Sequence, residues 1–443
     1  MKVRGLLVAT ALLAVLAGLL YWSNKRTAAN ASKPSADAAP KILSIPENQF
    51  QEVRINKGGE VTVVRKGKDG KWEIAEPKPL RADQDSVTSL VSTLSSLNAD
   101  KLIEEKAADL TPYGLTKPTI DVTVVKKDGK KEELAIGDEI PTGSGSYARR
   151  IDDPRVFTIA SYVKTNLDKG PNDLRDKRLL TFDSDKLTRV DLDAKGGAVE
   201  FGKNNQNDWQ ILKPKPLRAD GSQVEELIRK LKDAKMDTSV SEADAKKAAA
   251  AFASGTRVAV ASVADSSGTQ QLEVRRDKDK NYYAKSSVVA GIYKVTNDLG
   301  EGLDKSLADF RNKKLFDFGW NDPSKVELRI GEKTTTYEKS GDKWMSGGKQ
   351  MDAPSVQALI DKLRDLSSTK FLDTGGGGSP ILAVTVTSND GKRVEKAAIT
   401  KQGNSYFATR ENESSIYELD SKAVEDLQKA AGEVKEYQAA KKK

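Results

Sequence analysis

Pro77-Lys78-Pro79-Leu80-Arg81-Ala82-Asp83 recurs without change as Pro214-Lys215-Pro216-Leu217-Arg218-Ala219-Asp220. A seven-residue identity within one chain marks a duplication, and internal repetition sets the architecture before local patterns are weighed. In both copies a Trp stands five residues ahead of the motif, Trp72 and Trp209. A third, more diverged copy is headed by Trp344. It keeps Asp352 in the place of Asp83 and Asp220 but lacks the Pro-Lys-Pro-Leu-Arg part.

Each Asp introduces the same helical pattern. Val87, Leu90, Val91 and Leu94 match Val224, Leu227, Ile228 and Leu231, and then Val356, Leu359, Ile360 and Leu363. The i, i+3, i+4, i+7 spacing places four aliphatics on one helix face. Each Asp lies four residues before the first Val. There its carboxylate can accept free backbone N–H groups and meet the positive end of the helix dipole. The three Asp residues are therefore read as caps and not as catalytic acids.

Strand signals flank the helix. Val61–Arg65 and Lys71–Ala75 surround a Lys-Asp-Gly turn, which predicts a hairpin. Downstream, Val122-Thr123-Val124 matches Val258-Ala259-Val260 and Val384-Thr385-Val386. Tyr147-Ala148-Arg149 matches Tyr283-Ala284-Lys285 and Phe407-Ala408-Thr409. Asp173–Lys177 corresponds to Asp309–Lys313, and with the aliphatic and Phe residues that follow it is read as closing the first two units. The third unit ends in a polar helix rich in Lys, Glu and Ala.

The expected fold class is α+β. A single N-terminal transmembrane helix precedes three tandem repeats, each a β-meander, a helix, a second β-meander and a short helix. The repeats are placed at residues 41–180, 181–317 and 318–443, each the size of an ordinary domain.

Gly5–Trp22 holds 18 residues without a charge. A helix of that length spans ~27 Å, close to the hydrocarbon core. Lys2 and Arg4 precede it, Lys25 and Arg26 follow it, and Tyr21 and Trp22 sit where interfacial aromatics belong. A cleaved signal peptide is the competing reading, with Ala29-Asn30-Ala31 as a small-x-small site beyond two positive charges. The length favours an anchor over residues 5–22, with a cytoplasmic tail at 1–4 and a flexible Ala-, Ser- and Pro-rich stalk at 23–40.

The net charge is +8, from 73 basic and 65 acidic residues that alternate along the chain. A nucleic-acid binder gathers its basic residues into a patch, and here the only pure basic run is Lys441-Lys442-Lys443, so no nucleic-acid partner is expected. There is no Cys, which excludes disulfides and thiolate metal sites, and no His, which removes the commonest general base and metal ligand.

The layout resembles a known family. Trp72-Glu73-Ile74 before the Pro-rich turn, then the helix, then Pro112-Tyr113-Gly114-Leu115 with Pro118, and finally Asp173–Lys177 are similar to domain of unknown function 4340. The resemblance runs from about residue 41 onward. The second and third units lack Tyr-Gly-Leu, and carry instead the Ala-rich Ala243–Phe252 and the loop Gly375–Gly378. The resemblance implies a bacterial envelope protein encoded beside an ABC-type transport system similar to gliding-motility transporters, with no established biochemical activity.

No catalytic, cofactor or metal site is assigned from the sequence. Gly375–Gly378 is followed by Ser379-Pro380 and a strand, and a P-loop needs Gly-Lys-Ser/Thr and a helix. Asp183, Asp185, Asp191 and Asp193 lack the further ligands of a calcium loop. Trp72, Trp209 and Trp344 could stack on sugars, but each sits by an apolar strand partner, Ile74, Ile211 or Met345, and core packing is favoured. Arg81 and Arg218 either pin the turn against a neighbouring unit or mark a partner surface. A Ser–Lys nucleophile lacks a motif.

The expected function is a non-catalytic, membrane-anchored envelope scaffold or interaction protein, accessory to an ABC-type transport system. A cell-wall glycan or peptide binding module is the alternative, and a Ser/Lys or carboxylate hydrolase comes third. The expected location is the inner membrane, single-pass, with the soluble part periplasmic. Function is expected where the copies differ.

Overall fold

The structure, a computed structural model, describes residues 40–141, 143–205, 207–237, 242–320 and 322–438. Two compact bodies form, the first ending at Lys177 and the second beginning at Arg178 and holding the second and third repeats.

Each repeat is built on one antiparallel sheet. In the first, β1 (Phe50–Lys57), β2 (Glu60–Lys66), β3 (Trp72–Glu76) and β4 (Leu80–Arg81) form a meander, and β6 (Ile120–Lys126), β7 (Lys131–Glu139), β8 (Ser146–Arg150) and β9 (Val156–Ile159) form another. The two meanders join through β1 and β6, with Val53 opposite Val124 and Ile55 opposite Val122. The strand β5 (Lys101–Glu104) adds at the far edge, giving the order β4-β3-β2-β1-β6-β7-β8-β9-β5. The helix Gln84–Ser95 carries the chain across one face from the β4 edge to the β5 edge.

The second repeat has β10 (Arg189–Ala194), β11 (Gly197–Lys203), β12 (Trp209–Lys213), β13 (Leu217–Arg218), β14 (Thr256–Asp265), β15 (Gly268–Arg276), β16 (Tyr282–Ser286) and β17 (Ile292–Val295). Their order, β13-β12-β11-β10-β14-β15-β16-β17, repeats that of the first sheet from β4 to β9, with no counterpart of β5 among the described residues. The third has β18 (Lys325–Ile330), β19 (Lys333–Ser340), β20 (Lys343–Ser346), β21 (Lys349–Gln350), β22 (Ser368–Leu372), β23 (Pro380–Ser388), β24 (Arg393–Gln402), β25 (Ser405–Arg410) and β26 (Ile416–Leu419), in the order β21-β20-β19-β18-β23-β24-β25-β26-β22.

This corrects the expected fold class. The described chain is mostly three antiparallel sheets with few helices, not meanders separated by a helix. The physical reason is that β1 and β6 would each expose a row of unpaired backbone groups, and pairing them satisfies both. The helix then has only a face to lie on. The membrane-spanning helix expected at residues 5–22, the tail at 1–4 and the stalk to residue 39 lie outside the described residues. Among the described residues no helix is long and apolar enough to cross a membrane.

The helix faces pack as their spacing requires. Val87, Leu90, Val91 and Leu94 are buried in one core with Phe50, Val53, Ile55, Val122 and Val124. Full burial of each such side chain contributes about 1.5–3 kcal/mol. Val224, Leu227, Ile228 and Leu231 are likewise buried in the second repeat, and Val356, Leu359, Ile360 and Leu363 in the third.

The ends of the repeats are also sharper than the sequence reading. Leu179 donates its N–H to the Ala234 carbonyl, Leu315 to Leu366, and Ile42 to Leu97. Each repeat therefore opens with an aliphatic segment paired to the chain just after its helix. The pairs Leu179–Leu180 and Leu315–Phe316, expected to close a repeat, open the next one. The third repeat also has its own closing segment. The Asp352 N–H donates to the Lys435 carbonyl and the Tyr437 N–H to the Gln350 carbonyl, as the Asp83 N–H donates to the Leu174 carbonyl and the Asp176 N–H to that of Arg81.

Candidate functional site

The Trp-turn-Asp segments build the fold. Asp83 accepts the Ser86 N–H at 2.8 Å, Asp220 the N–H groups of Ser222 and Gln223 at 3.1 and 3.3 Å, and Asp352 that of Ser355 at 3.1 Å. All three are helix caps. Trp72, Trp209 and Trp344 are 8%, 7% and 5% exposed, too buried to act as stacking platforms. Lys66 and Lys203 lie 5.2 and 5.1 Å from the rings of Trp72 and Trp209 and screen them from outside. Asp191 pairs with Arg189 at 3.0 Å and Asp193 with Arg257, so both are half-buried strand residues in ion pairs.

The segments in which the repeats differ share one place. Tyr113 of the Tyr-Gly-Leu loop meets Tyr147 edge to face at 5.0 Å and donates to Glu104 at 2.8 Å. With Leu115 it covers Ala135 and Val156, on the side of β7–β9 away from the helix. Gly137 permits this, since a Cβ there would overlap the Tyr113 carbonyl. In the second repeat the helix Glu242–Ser254 takes this position, with Arg275 of β15 stacked on Phe252 at 4.7 Å. In the third, Gly376 lies against Phe407 and Ile416, and its carbonyl accepts from Thr400 at 2.9 Å. Three unrelated segments thus cover the same part of the outer sheet face, which gives each of them a packing role.

A polar cluster lies in the second body, where the turn of the second repeat meets the third repeat. Arg218 Nε faces Glu413 Oε1 at 2.9 Å, without the alignment of a hydrogen bond. Arg218 Nη2 donates to the Tyr417 hydroxyl at 3.2 Å and to the Lys314 carbonyl. The guanidinium carbon is 5.9 Å from the Tyr417 ring centre. Arg410 ties Glu413, at 2.7 Å, to Glu395, at 3.1 Å, and donates to the Leu315 carbonyl. Glu395 also accepts the Asp317 N–H at 3.0 Å. Arg311 stacks on Phe371 at 3.5 Å and donates to Ser415 at 2.7 Å.

The side chains of Arg218 and Glu413 are 15% and 18% exposed, and those of Arg410 and Glu395 are 9% and 4% exposed. Desolvation works against the Arg218 charge, but Tyr417 and Glu413 outweigh it and hold its pKa above the ordinary value. Burial pushes the Tyr417 hydroxyl up. Arg218 therefore pins its turn to the neighbouring repeat. Arg81 in the first body stands 3.8 Å from Asp176.

Beside this joint a cleft of about 250 Å³ is lined by Asp208, Trp209, Arg218, Glu225, Asp317 and Arg393. Another, of about 350 Å³ in the first body, holds Ser146, Ser161, Lys164 and Asp168. Lys164 pairs there with Glu139 at 3.1 Å, and Asp168 with Lys57 at 2.6 Å. Among the described residues no group of three or more acidic side chains is placed to hold a metal ion. The joint residues Glu395, Arg410, Glu413 and Tyr417 were not singled out from sequence. The signal present is the match of Arg150 to Phe157 with Arg410 to Tyr417.

A family model described as Domain of unknown function (DUF4340) matches residues 72–248 and, again, residues 209–380. The chain belongs to the DUF4340 family. Both matches begin on the equivalent Trp, Trp72 or Trp209, and run past the Asp-capped helix of the following repeat. A DUF4340 module in this chain thus starts at one Trp-turn-helix segment and ends beyond the next. Curated proteins gave no match, and solved structures gave none.

Proposed function

We propose that this DUF4340 chain is a non-catalytic interaction protein of a bacterial envelope, membrane-associated, with its repeats periplasmic and presented to a membrane complex. The observation that carries this reading is the use made of the repeated residues. Trp, Asp and the helix face build each sheet unit, and Arg218 locks two units into one body. Such a chain offers three similar sheet surfaces to a partner. The uncharged residues 5–22 support membrane association, and the family resemblance supports an ABC-type transport system as the complex. Crosslinked pull-down from membranes tests it. Specific recovery of transporter subunits is expected, and recovery of no envelope partner would count against it.

A second reading, binding of cell-wall glycan or peptide, is supported by Trp320, a residue that is 91% exposed. It predicts that residues 41–443 cosediment with peptidoglycan and that Trp320→Ala weakens the binding. Equal sedimentation of the two proteins would remove it.

A further inference from the structure

The socket that receives Arg218 has a counterpart in the first repeat. Ala148 faces Phe157 across β8 and β9 as Ala408 faces Tyr417 across β25 and β26. Val124 faces Glu132 as Val386 faces Glu395. Lys41 bridges Asn98 as Lys314 bridges Ser367. These registers superimpose Arg150, Asp153, Arg155 and Phe157 on Arg410, Glu413, Ser415 and Tyr417 without a gap. Lys41 and Ile42 fall on Lys314 and Leu315, whose carbonyls receive Arg218 and Arg410.

The two sockets are filled differently. In the third repeat the guanidinium over the aromatic ring comes from outside, from Arg218. In the first it comes from within. Arg155, at the position of Ser415, pairs with Asp153 at 2.6 Å and lies 5.1 Å from the Phe157 ring centre. The rest of the first socket is a cleft of about 190 Å³ between Lys41–Ile45, Glu132 and Arg150. Its groups have turned to local partners, Arg150 to Asp152 at 2.5 Å and Glu132 to Lys126 at 2.9 Å. At the other end of the chain, the third repeat has Lys349-Gln350 in β21 where the second has Leu217-Arg218 in β13, so it presents no arginine from its turn.

We propose that this surface of the first repeat is a repeat-to-repeat joint closed in cis by Arg155, and that the partner it fits is the Pro79-Leu80-Arg81 turn of a second copy of this chain, whose sequence matches residues 216–218, while Arg218 is held by its own third repeat. Arg155 is a plug that prevents such addition. A planar guanidinium that pairs with a carboxylate while stacking on an aromatic ring is the shared recognition chemistry.

Two experiments on the full chain test it. A labelled peptide of residues 77–83 is titrated with wild type and with Arg155→Ser, read by fluorescence anisotropy. Arg155→Ser is expected to bind at least ~10-fold more tightly, a difference of about 1.4 kcal/mol, and the peptide bearing Arg81→Ala is expected to lose the gain. Equal binding by both proteins overturns the plug. The second experiment asks whether the two sockets are one device, and does not need Arg155 to be changed. Ser415→Arg should lower the unfolding temperature when Arg218 is present, since two guanidiniums compete for one place, and should raise it in an Arg218→Ala background. Additive effects overturn the equivalence.

Discussion

Replacing Arg218 by Ala should loosen the third repeat from the second without unfolding either sheet. The substitution removes the ion pair to Glu413 and two charge-assisted hydrogen bonds, to Tyr417 and to the Lys314 carbonyl. Breaking a buried pair costs about 3–5 kcal/mol when the remaining charge is left alone. Glu413 is not left alone, because Arg410 stays at 2.7 Å and the Tyr417 hydroxyl still donates to it. The cost therefore falls toward that of hydrogen bonds to charged groups, about 1.5–3 kcal/mol. For a body of this size each kcal/mol moves the midpoint by roughly 2–4 °C, so a fall of about 3–12 °C is expected. Calorimetry on the full chain, with far-UV circular dichroism to verify retained sheets, measures it. Lys396→Ala is the control, since its pair with Glu411 is about half exposed on both sides and contributes under ~1 kcal/mol. A loss for Arg218→Ala no larger than for Lys396→Ala would refute the reasoning.

Three further outcomes are expected. Gly137→Ala should lower stability by about 1–3 kcal/mol, because its Cβ overlaps the Tyr113 carbonyl, and the loss should fall in the first body when read by hydrogen exchange. Asp220→Ala should cost about 0.5–2 kcal/mol through the lost cap, with Asp220→Asn nearly neutral, measured by urea unfolding. Tyr417 has its pKa raised by burial, so the stability it contributes is complete below its ordinary pKa, about 10, and is lost as pH rises through the higher folded value. Urea midpoints followed from pH 8 upward should therefore fall less steeply for Tyr417→Phe than for wild type.

Much of the repeat was legible because it is written in local rules. A cap must sit four residues before the first buried Val, and a helix lying on a sheet needs an aliphatic face, so Asp83, Asp220 and Asp352 declared their roles. The joining of β1 to β6 was not legible. Nothing in Val53 or Val124 names its partner across some seventy residues, and only the need to pair both edges selects it. The opening segments were misplaced for a similar reason. Leu179 and Leu315 follow a motif of one repeat in sequence but pair with the helix end of the next in space. Arg218 was recognised as repeated, yet its partners Glu413 and Tyr417 lie nearly two hundred residues away and only the fold brings them together. The variable segments differ in sequence, and in space each covers the equivalent face of its own sheet.

The proposed envelope role requires the repeats to lie outside the cytoplasm. A reporter enzyme that is active only outside the cytoplasm, fused after Lys443, measures this most directly. The account predicts full reporter activity in intact cells, with the fusion protein in the membrane fraction. An inactive reporter, with a cytoplasm-dependent reporter active at the same position, would contradict it.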